Sequence, residues 1–503
     1  MFLKSTDYPK NATFDADVVV VGTGAGGAVV GAELAEAGRS VIFVEEGSHH
    51  PTSSFGPYMT ESVPRLYRDG GSTAIVGTPV IPYVEGRTVG GTTVINGGMA
   101  YRTPEDVLAS WQKTTGLVEL GPKALEPLFE RVERRVHVAP QLDESMGGDN
   151  KLMLEGARKM GWRVSVNRRN QHACVGANNC GFGCPTGAKQ STLVSYLPSA
   201  FAAGAMCLTD VRIEKLLIEG GRSVGVEGRA VDPTTRAPSH RVVVRARAVV
   251  IACGAVQTPY LLARHHKGQS GQLGKNFLCH PNAKVLALYP FDVEAWKGVS
   301  QYAQIREFDD EGILLAENFV APGALGAHIP FHGEEAWELM SRYNQMVLSG
   351  VLVEDSTTGT VTRTRFGMPE VRYDITPYDH ARFLKGVRLL AEMHFALGAE
   401  KVLLPFADLH FAKSVDDLRK IDERRVPRHS LELFTVHLMG TARMGGSAGS
   451  SVVAASGEVW DLPGCYVADA SLFPTAIGVN PQITIMALAT RVAWRLELSR
   501  KAA

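Results

Sequence analysis

Gly22, Gly24 and Gly27 form the pattern G-x-G-x-x-G within DADVVVVGTGAGGAVVGAELAEAGRSVIFVEEG, and Glu45 lies near the end of the same stretch. The first glycine of such a pattern permits a tight turn. The second lets a pyrophosphate approach bare backbone, and the third lets a helix pack closely on a strand. A carboxylate at the end of the following strand accepts hydrogen bonds from ribose hydroxyls. The chemistry expected here is dinucleotide binding. A second group able to do chemistry is Cys174, Cys180 and Cys184, spaced C-x5-C-x3-C-P. Three thiolates can serve as soft ligands to a metal centre. They can also form a structural thiol loop or a disulfide between two of them, whereas zinc lacks an evident fourth ligand. Of the 15 histidines, His328 and His332 have i,i+4 spacing, but Pro330 breaks the helix that would align their rings.

The elements that position these groups follow from periodicity. Val18 to Val21 is a β-branched run suited to a parallel strand buried on both faces. A small-residue helix from about Gly26 to Ala37 follows, and a second apolar strand, Val41 to Val44, completes a βαβ unit. Its helix N-terminus offers free N–H groups and positive dipole to phosphates. Residues 51–105 are mostly loop, 104–136 are helical, and a short helix precedes the cysteine segment 170–190. Strands are expected over 205–232 and 240–253, with a helix beyond Thr258. Alternation over 283–376 points to antiparallel strands, interrupted by the helix EEAWELMSRYNQM. Residues 377–397 and 414–422 are helical, and a last helix starts near Pro481. Neither repeats nor low-complexity linkers occur, which implies domains interwoven along the chain.

The 503 residues give about three domain equivalents as a starting point. With 52 Lys+Arg against 52 Asp+Glu, the chain lacks the basic excess of a nucleic-acid binder. A hydrophobic content of 45% with 21% charged residues excludes disordered and collagen-like classes. Glycine is in excess: of 52, 16 fall between residues 20 and 100, where backbone must turn sharply or approach something closely. No run is long and apolar enough for a membrane span, and the N-terminus has no apolar signal-peptide core. A cytoplasmic location is therefore expected, and the acceptor triplet Asn11-Ala-Thr is read as chance. Seven cysteines do not suggest a disulfide scaffold.

Four further blocks occur in order: GRTVGGTTVINGG (Gly86–Gly98), CGAVQTPYLL (Cys253–Leu262), HLMGTARMG (His437–Gly445) and YVADASLFPTAIGVNPQITIMALA (Tyr466–Ala489). With the N-terminal fingerprint they resemble the glucose–methanol–choline (GMC) oxidoreductases. The likeness spans nearly the whole chain and is weak only from about 283 to 434.

The resemblance implies an α/β fold in which a Rossmann-like FAD-binding domain (1–105, 205–282 and 435–503) is interwoven with an α+β substrate domain. That cap, 106–204 and 283–434, would carry a mostly antiparallel sheet. FAD contacts are implied at Arg87, Gly90, Gly91, Thr92, Asn96, Gly97, Gly98 and Met99, at Val211 through its backbone, and at Cys253 and Gly254. Asp469 and Ala470 would hold the ribityl–pyrophosphate region, and Pro481 and Gln482 would open a helix aimed at the flavin. An N-cap or turn role is the alternative for Asp469. Family members that attach FAD covalently do so through a histidine in the second glycine block. Here that neighbourhood reads Thr93-Val94-Ile95-Asn96, so FAD is expected to be non-covalent.

By the same resemblance, His437 occupies the position of the general base, with hydride passing to flavin N5. An ordinary imidazole pKa near 6.5 would suit that work. Asn480 holds the place of the second active-site residue, where an amide can orient the alcohol, helix capping being the alternative. The cysteine segment resembles both long-chain alcohol oxidases and cluster-bearing sugar dehydrogenases, and its continuation GAKQSTLVSYLP favours the former. The function implied is oxidation of an apolar or long-chain alcohol, with oxygen or another electron acceptor. The alternative is a sugar or polyol dehydrogenase passing electrons onward, possibly through a 3Fe–4S cluster.

Overall fold

The computed structural model describes residues 1–265, 268 and 270–501. Its first sheet is built on the β-branched strand Thr13–Val21, whose inner residues Val18–Val21 are buried. Parallel neighbours are Val41–Val44 on one side and the long strand Pro238–Ile251 on the other. Met206–Leu208 extends the parallel set beyond Val41–Val44, and Cys465–Val467 joins it beside Val249–Ile251. The first half of Pro238–Ile251 instead pairs antiparallel with Arg222–Val231, which pairs with Val211–Glu219. One strand thus carries both a parallel nucleotide sheet and an antiparallel flap.

Two helices cover this sheet. Gly27–Glu36 lies close to it because Gly31 has no side chain; a Cβ there would stand 2.2 Å from the Phe43 ring. Gln482–Lys501 packs against Gly27–Glu36 and against Pro122–Arg135.

The second large sheet has seven strands, all paired antiparallel: Phe411–Ala412, Lys401–Leu403, Asn282–Leu288, Met346–Val353, Ile313–Glu317, Ala303–Ile305 and Val164–Val166. The mostly antiparallel cap sheet expected from alternation is present. Met346–Val353 is buried along its whole length, because helix Pro377–Ala396 covers one face and a cavity faces the other. That helix starts on a capping box, with Thr376 and Asp379 exchanging side-chain and backbone hydrogen bonds and Pro377 at its first turn.

Apolar side chains form two main cores, one under each sheet. Residues 106–204 contribute to both: Leu125, Phe129 and Leu197 to the nucleotide side, Met153 and Ala157 to the cap side. No helix among the described residues is long and apolar enough to cross a membrane.

Candidate active site

A cavity of about 1250 Å³ runs between the two sheets. At one end the fingerprint turns as its residue types require. Gly22 has φ +100°, and its N–H donates to Val44 O at 2.9 Å. At Gly27 a Cβ would lie 2.1 Å from Gly22 O, the close helix–strand approach expected of the third glycine. Gly24 meets nothing nearer than Gly91 Cα at 3.9 Å, so its open side is the space a pyrophosphate needs. Gly26 was not singled out from sequence, yet a Cβ there would stand 1.5 Å from Ala468 O.

Glu45 is buried and accepts from Thr23 N (3.0 Å), Thr23 Oγ1 (2.7 Å) and Gly47 N (2.9 Å). Burial pushes its pKa up. Two carboxylate oxygens have about four acceptor sites, so capacity for a ribose hydroxyl remains on Oε1. Thr23 Oγ1 in turn accepts from Gly90 N at 2.9 Å, tying the two glycine blocks together.

The second block lies along the cavity. Arg87 pairs with Asp69 (3.2 Å), and Thr92 Oγ1 accepts from Gly86 N (3.0 Å). Gly91 crosses Gly24; a Cβ on it would lie 2.8 Å from Gly24 Cα. Asn96 accepts from Gly98 N (3.1 Å) and donates to Gln482 Oε1. Gln482 Nε2 is left buried without a partner. An orphaned amide N–H beside bare glycine backbone suits a heterocycle rich in acceptors, such as a flavin. Gly97 and Met99 also line the cavity, as do Val211, Cys253, Ala470 and Pro481. The Val211 N–H is already given to Glu45 O at 2.9 Å.

Asp469 is fully engaged within the protein. One oxygen accepts from Gly254 N (2.9 Å) and Thr258 Oγ1 (2.5 Å), the other from Ser471 N (2.8 Å) and Ser471 Oγ (2.5 Å). Its side chain thus does the capping work considered as the alternative, and it secures the start of helix Gly254–Leu262. That helix begins at Gly254, four residues before the expected Thr258.

Where the cap closes over the cavity, His437 and Asn480 meet, with Nε2 and Nδ2 3.1 Å apart. His437 Nδ1 lies 3.4 Å from Nδ1 of His280, a histidine that sequence reasoning did not select. The Nδ1···Nδ1 contact has room for one proton, so the tautomer of one ring sets that of the other. His280 Nε2 faces the N–H groups of Ile477 and Gly478 at 3.3 Å each, and lies 4.0 Å from Asp355 Oδ2. The N–H groups favour a bare Nε2 and the carboxylate favours a protonated one. Asp355 itself accepts from Cys279 N (3.0 Å) and His280 N (2.8 Å).

Burial, reinforced by His280 and Lys284, lowers the His437 pKa to about 3. This corrects the expectation of an ordinary imidazole: His437 is neutral throughout the neutral range. Burial likewise lowers His280 to about 3 and raises Asp355 to about 6.

The cysteine segment lies beside the second glycine block, and residues 177–182 line the cavity. Lys189 Nζ fastens it there, donating to Val94 O (2.7 Å), Asn96 O (2.6 Å) and Cys180 O (2.7 Å). The three sulfurs have separate surroundings. Cys180 Sγ accepts from Arg169 (3.1 Å), Cys184 Sγ accepts from Lys189 N (3.4 Å), and Cys174 packs on the cap core. All seven cysteines are free, and no group of three His, Cys, Asp or Glu among the described residues is placed to hold a metal ion. The iron–sulfur candidates Cys174, Cys180 and Cys184 therefore do not form a fitting ligand set.

A parallel sheet that brings a glycine turn and a buried acid to one end of a cavity, with paired imidazoles at the other, defines a dinucleotide-dependent oxidoreductase. The description "GMC oxidoreductase" matches residues 63–282 and again 355–489, and "FAD binding domain" matches residues 17–60. The chain belongs to the GMC oxidoreductase family, FAD-dependent enzymes acting on alcohol-type donors. It is 37% identical over 480 residues to an uncharacterized GMC-type oxidoreductase of Mycobacterium tuberculosis, covering 95% of this chain and 75% of that protein. It is 26% identical over 536 residues to a long-chain-alcohol oxidase of Arabidopsis thaliana, covering 99% of this chain and 69% of the relative. A formate oxidase variant from Aspergillus oryzae shares the fold, with a TM-score of 0.75 over 98% of this chain and 100% of the other at 15% identity.

Proposed function

We propose that this protein oxidises an alcohol with an apolar or long-chain body to an aldehyde or ketone, with His437 taking the hydroxyl proton and Asn480 holding the alcohol oxygen. The observation that carries this reading is the 3.1 Å contact between His437 Nε2 and Asn480 Nδ2 inside the cavity. FAD, when bound, supplies the two-electron acceptor for the hydrogen on the carbinol carbon. The open face of Gly24, the free capacity of Glu45 and the orphaned Gln482 amide would hold it non-covalently. Burial keeps the imidazole in its proton-accepting form across the neutral range and at the same time makes it a weaker base than a free imidazole, so proton removal must be coupled to departure of the hydride. For Nε2 to accept, the shared proton must sit on His437 Nδ1 and point to His280 Nδ1. An alcohol entering between His437 and Asn480 would replace their mutual contact with two of its own, which fixes its oxygen.

Leu314, Ala316, Leu348, Leu352 and Phe319 give the cavity an apolar wall, which suits an apolar body. The alcohol oxidase relatives support oxygen as the final acceptor. The test is anaerobic mixing of the holoprotein with alcohols of graded length and polarity, followed by air. Bleaching of the flavin that improves with chain length and reverses in air is expected. A flavin that no alcohol bleaches would contradict the reading.

A further inference from the structure

Set into the apolar wall, between Leu348 and Leu352, the cap sheet presents a group of polar atoms. Strand Met346–Val353 carries Gly350 on its cavity face, and polar atoms from neighbouring strands converge over it. A Cβ on Gly350 would lie 2.7 Å from Asn318 Nδ2, 3.0 Å from Asn282 Oδ1 and 3.1 Å from Lys284 Nζ. Gln301 joins the group, donating to Asn318 Oδ1 at 3.1 Å, and its Oε1 rests against Gly97 in the second glycine block. Asn282 Oδ1 and Gln301 Oε1 are buried without partners. Lys284 has no ion pair among the described residues. Glu317, the acid in its field, is directed to the far side of the sheet. There it accepts from Ser349 Oγ at 2.8 Å, and burial raises its pKa well above the carboxylate range. An ammonium in a cavity wall without a counter-ion costs free energy unless something completes it.

We propose that Lys284, with Asn318 beside it, is a specificity-determining subsite for a carboxylate carried by the alcohol substrate. This rests on the reading of the cavity as an alcohol site and narrows it: the preferred substrate is a hydroxy acid with an apolar body. The ammonium and the second N–H of the Asn318 amide, whose first is given to Ala316 O at 3.1 Å, supply donors to the anion, and the absence of a side chain at Gly350 lets both groups lie over the strand to meet it. The same charge contributes to the field that keeps His437 neutral, which places the anion's site within electrostatic reach of the base.

Binding and turnover test the two readings separately. Hexanoate, which has no hydroxyl, and methyl hexanoate are each titrated into the holoprotein, followed by the flavin difference spectrum. The subsite predicts hexanoate binding about 30-fold or more tighter than the ester. Lys284→Met should abolish the difference at unchanged FAD content, and Lys284→Arg should retain most of it. Equal binding of acid and ester by the unaltered protein overturns the subsite, as does a preference that survives Lys284→Met. Flavin reduction by hydroxyhexanoates bearing the hydroxyl at successive carbons, each beside its methyl ester, is then followed anaerobically, and their steady-state turnover with an added redox dye as electron acceptor. A kcat/KM advantage of the acid that disappears in Lys284→Met supports the subsite. Failure of every acid and ester to reduce the flavin counts against the alcohol reading, whatever the binding result.

Discussion

His437 acts on a proton only if its Nε2 lone pair is free, and His280 decides that through the shared Nδ1···Nδ1 proton. The charge of Asp355, 4.0 Å away, favours a proton on His280 Nε2, while the Ile477 and Gly478 N–H groups donate to that nitrogen and oppose it. Asp355→Asn keeps an acceptor for only one of the Cys279 and His280 N–H groups and removes the charge. We expect it to retain FAD and to slow flavin reduction about 10-fold or more, within the range that general base catalysis contributes. The pH profile separates the two histidine-linked groups. His437, already neutral above about 3, adds no limb near 6.5. Protonation of Asp355 near 6 lowers the rate as pH falls, and Asp355→Asn should flatten that limb. A limb near 6.5 that survives in the variant would show that His437 itself titrates there.

At the scale of elements, the glycine turn divides into positions that bind and positions that fold. Gly24→Ala adds a methyl group into open space next to Gly91. It should leave the fold intact and lower FAD retention in the purified protein. Gly26→Ala drives a methyl group into the Ala468 carbonyl, and should lower thermal stability by several kcal/mol, about the level of other overpacked core changes (~1–3 kcal/mol) or above. Equal stability of the two variants would contradict this division. The βαβ unit was legible because each part is local: a β-branched run, glycines at fixed spacing, an acid at the strand end. Helix Gly254–Leu262 was legible only in part, since the residue that secures its start, Asp469, lies 215 positions away. His280 carried no signal among 15 histidines, because only the tertiary fold brings it to His437, 157 positions on. The cysteine spacing left a thiol loop, a disulfide and a shared cluster open, and only the fold shows Arg169 and the backbone of Lys189 holding two of the sulfurs separately.

At the scale of the molecule, buried titratable groups set opposing responses to acid. His280, His394 and His437 are lowered from 6.5 to about 3, so each takes up a proton on unfolding once pH falls below 6.5. That draws stability down as pH drops from 6.5 toward 3. Asp149 is raised to about 7, Asp355 to about 6, and Glu317 well upward. They hold protons that the unfolded chain gives up above its ordinary carboxylate range, so they add stability as pH falls from 7 toward 4. The two sets oppose one another between about pH 6.5 and 4.5. Below about pH 4 the raised acids are protonated in both states and no longer offset the imidazoles, while carboxylates held low in the fold, such as Glu227 and Asp417, add to the loss. A thermal midpoint that falls more steeply below about pH 4 than across the first window is the expected result. A steady decline starting at pH 6.5 would show that the raised acids do not compensate.

The two-core architecture places an imidazole and an amide 3.1 Å apart in the cavity, and the proposed chemistry stands on that imidazole acting as the base. Its most direct test is stopped-flow reduction of the flavin by a saturating alcohol without oxygen, comparing the unaltered protein with His437→Ala at matched FAD content. Loss of the imidazole should slow reduction about 100-fold or more while the flavin remains bound. An unchanged reduction rate in His437→Ala would contradict the assignment.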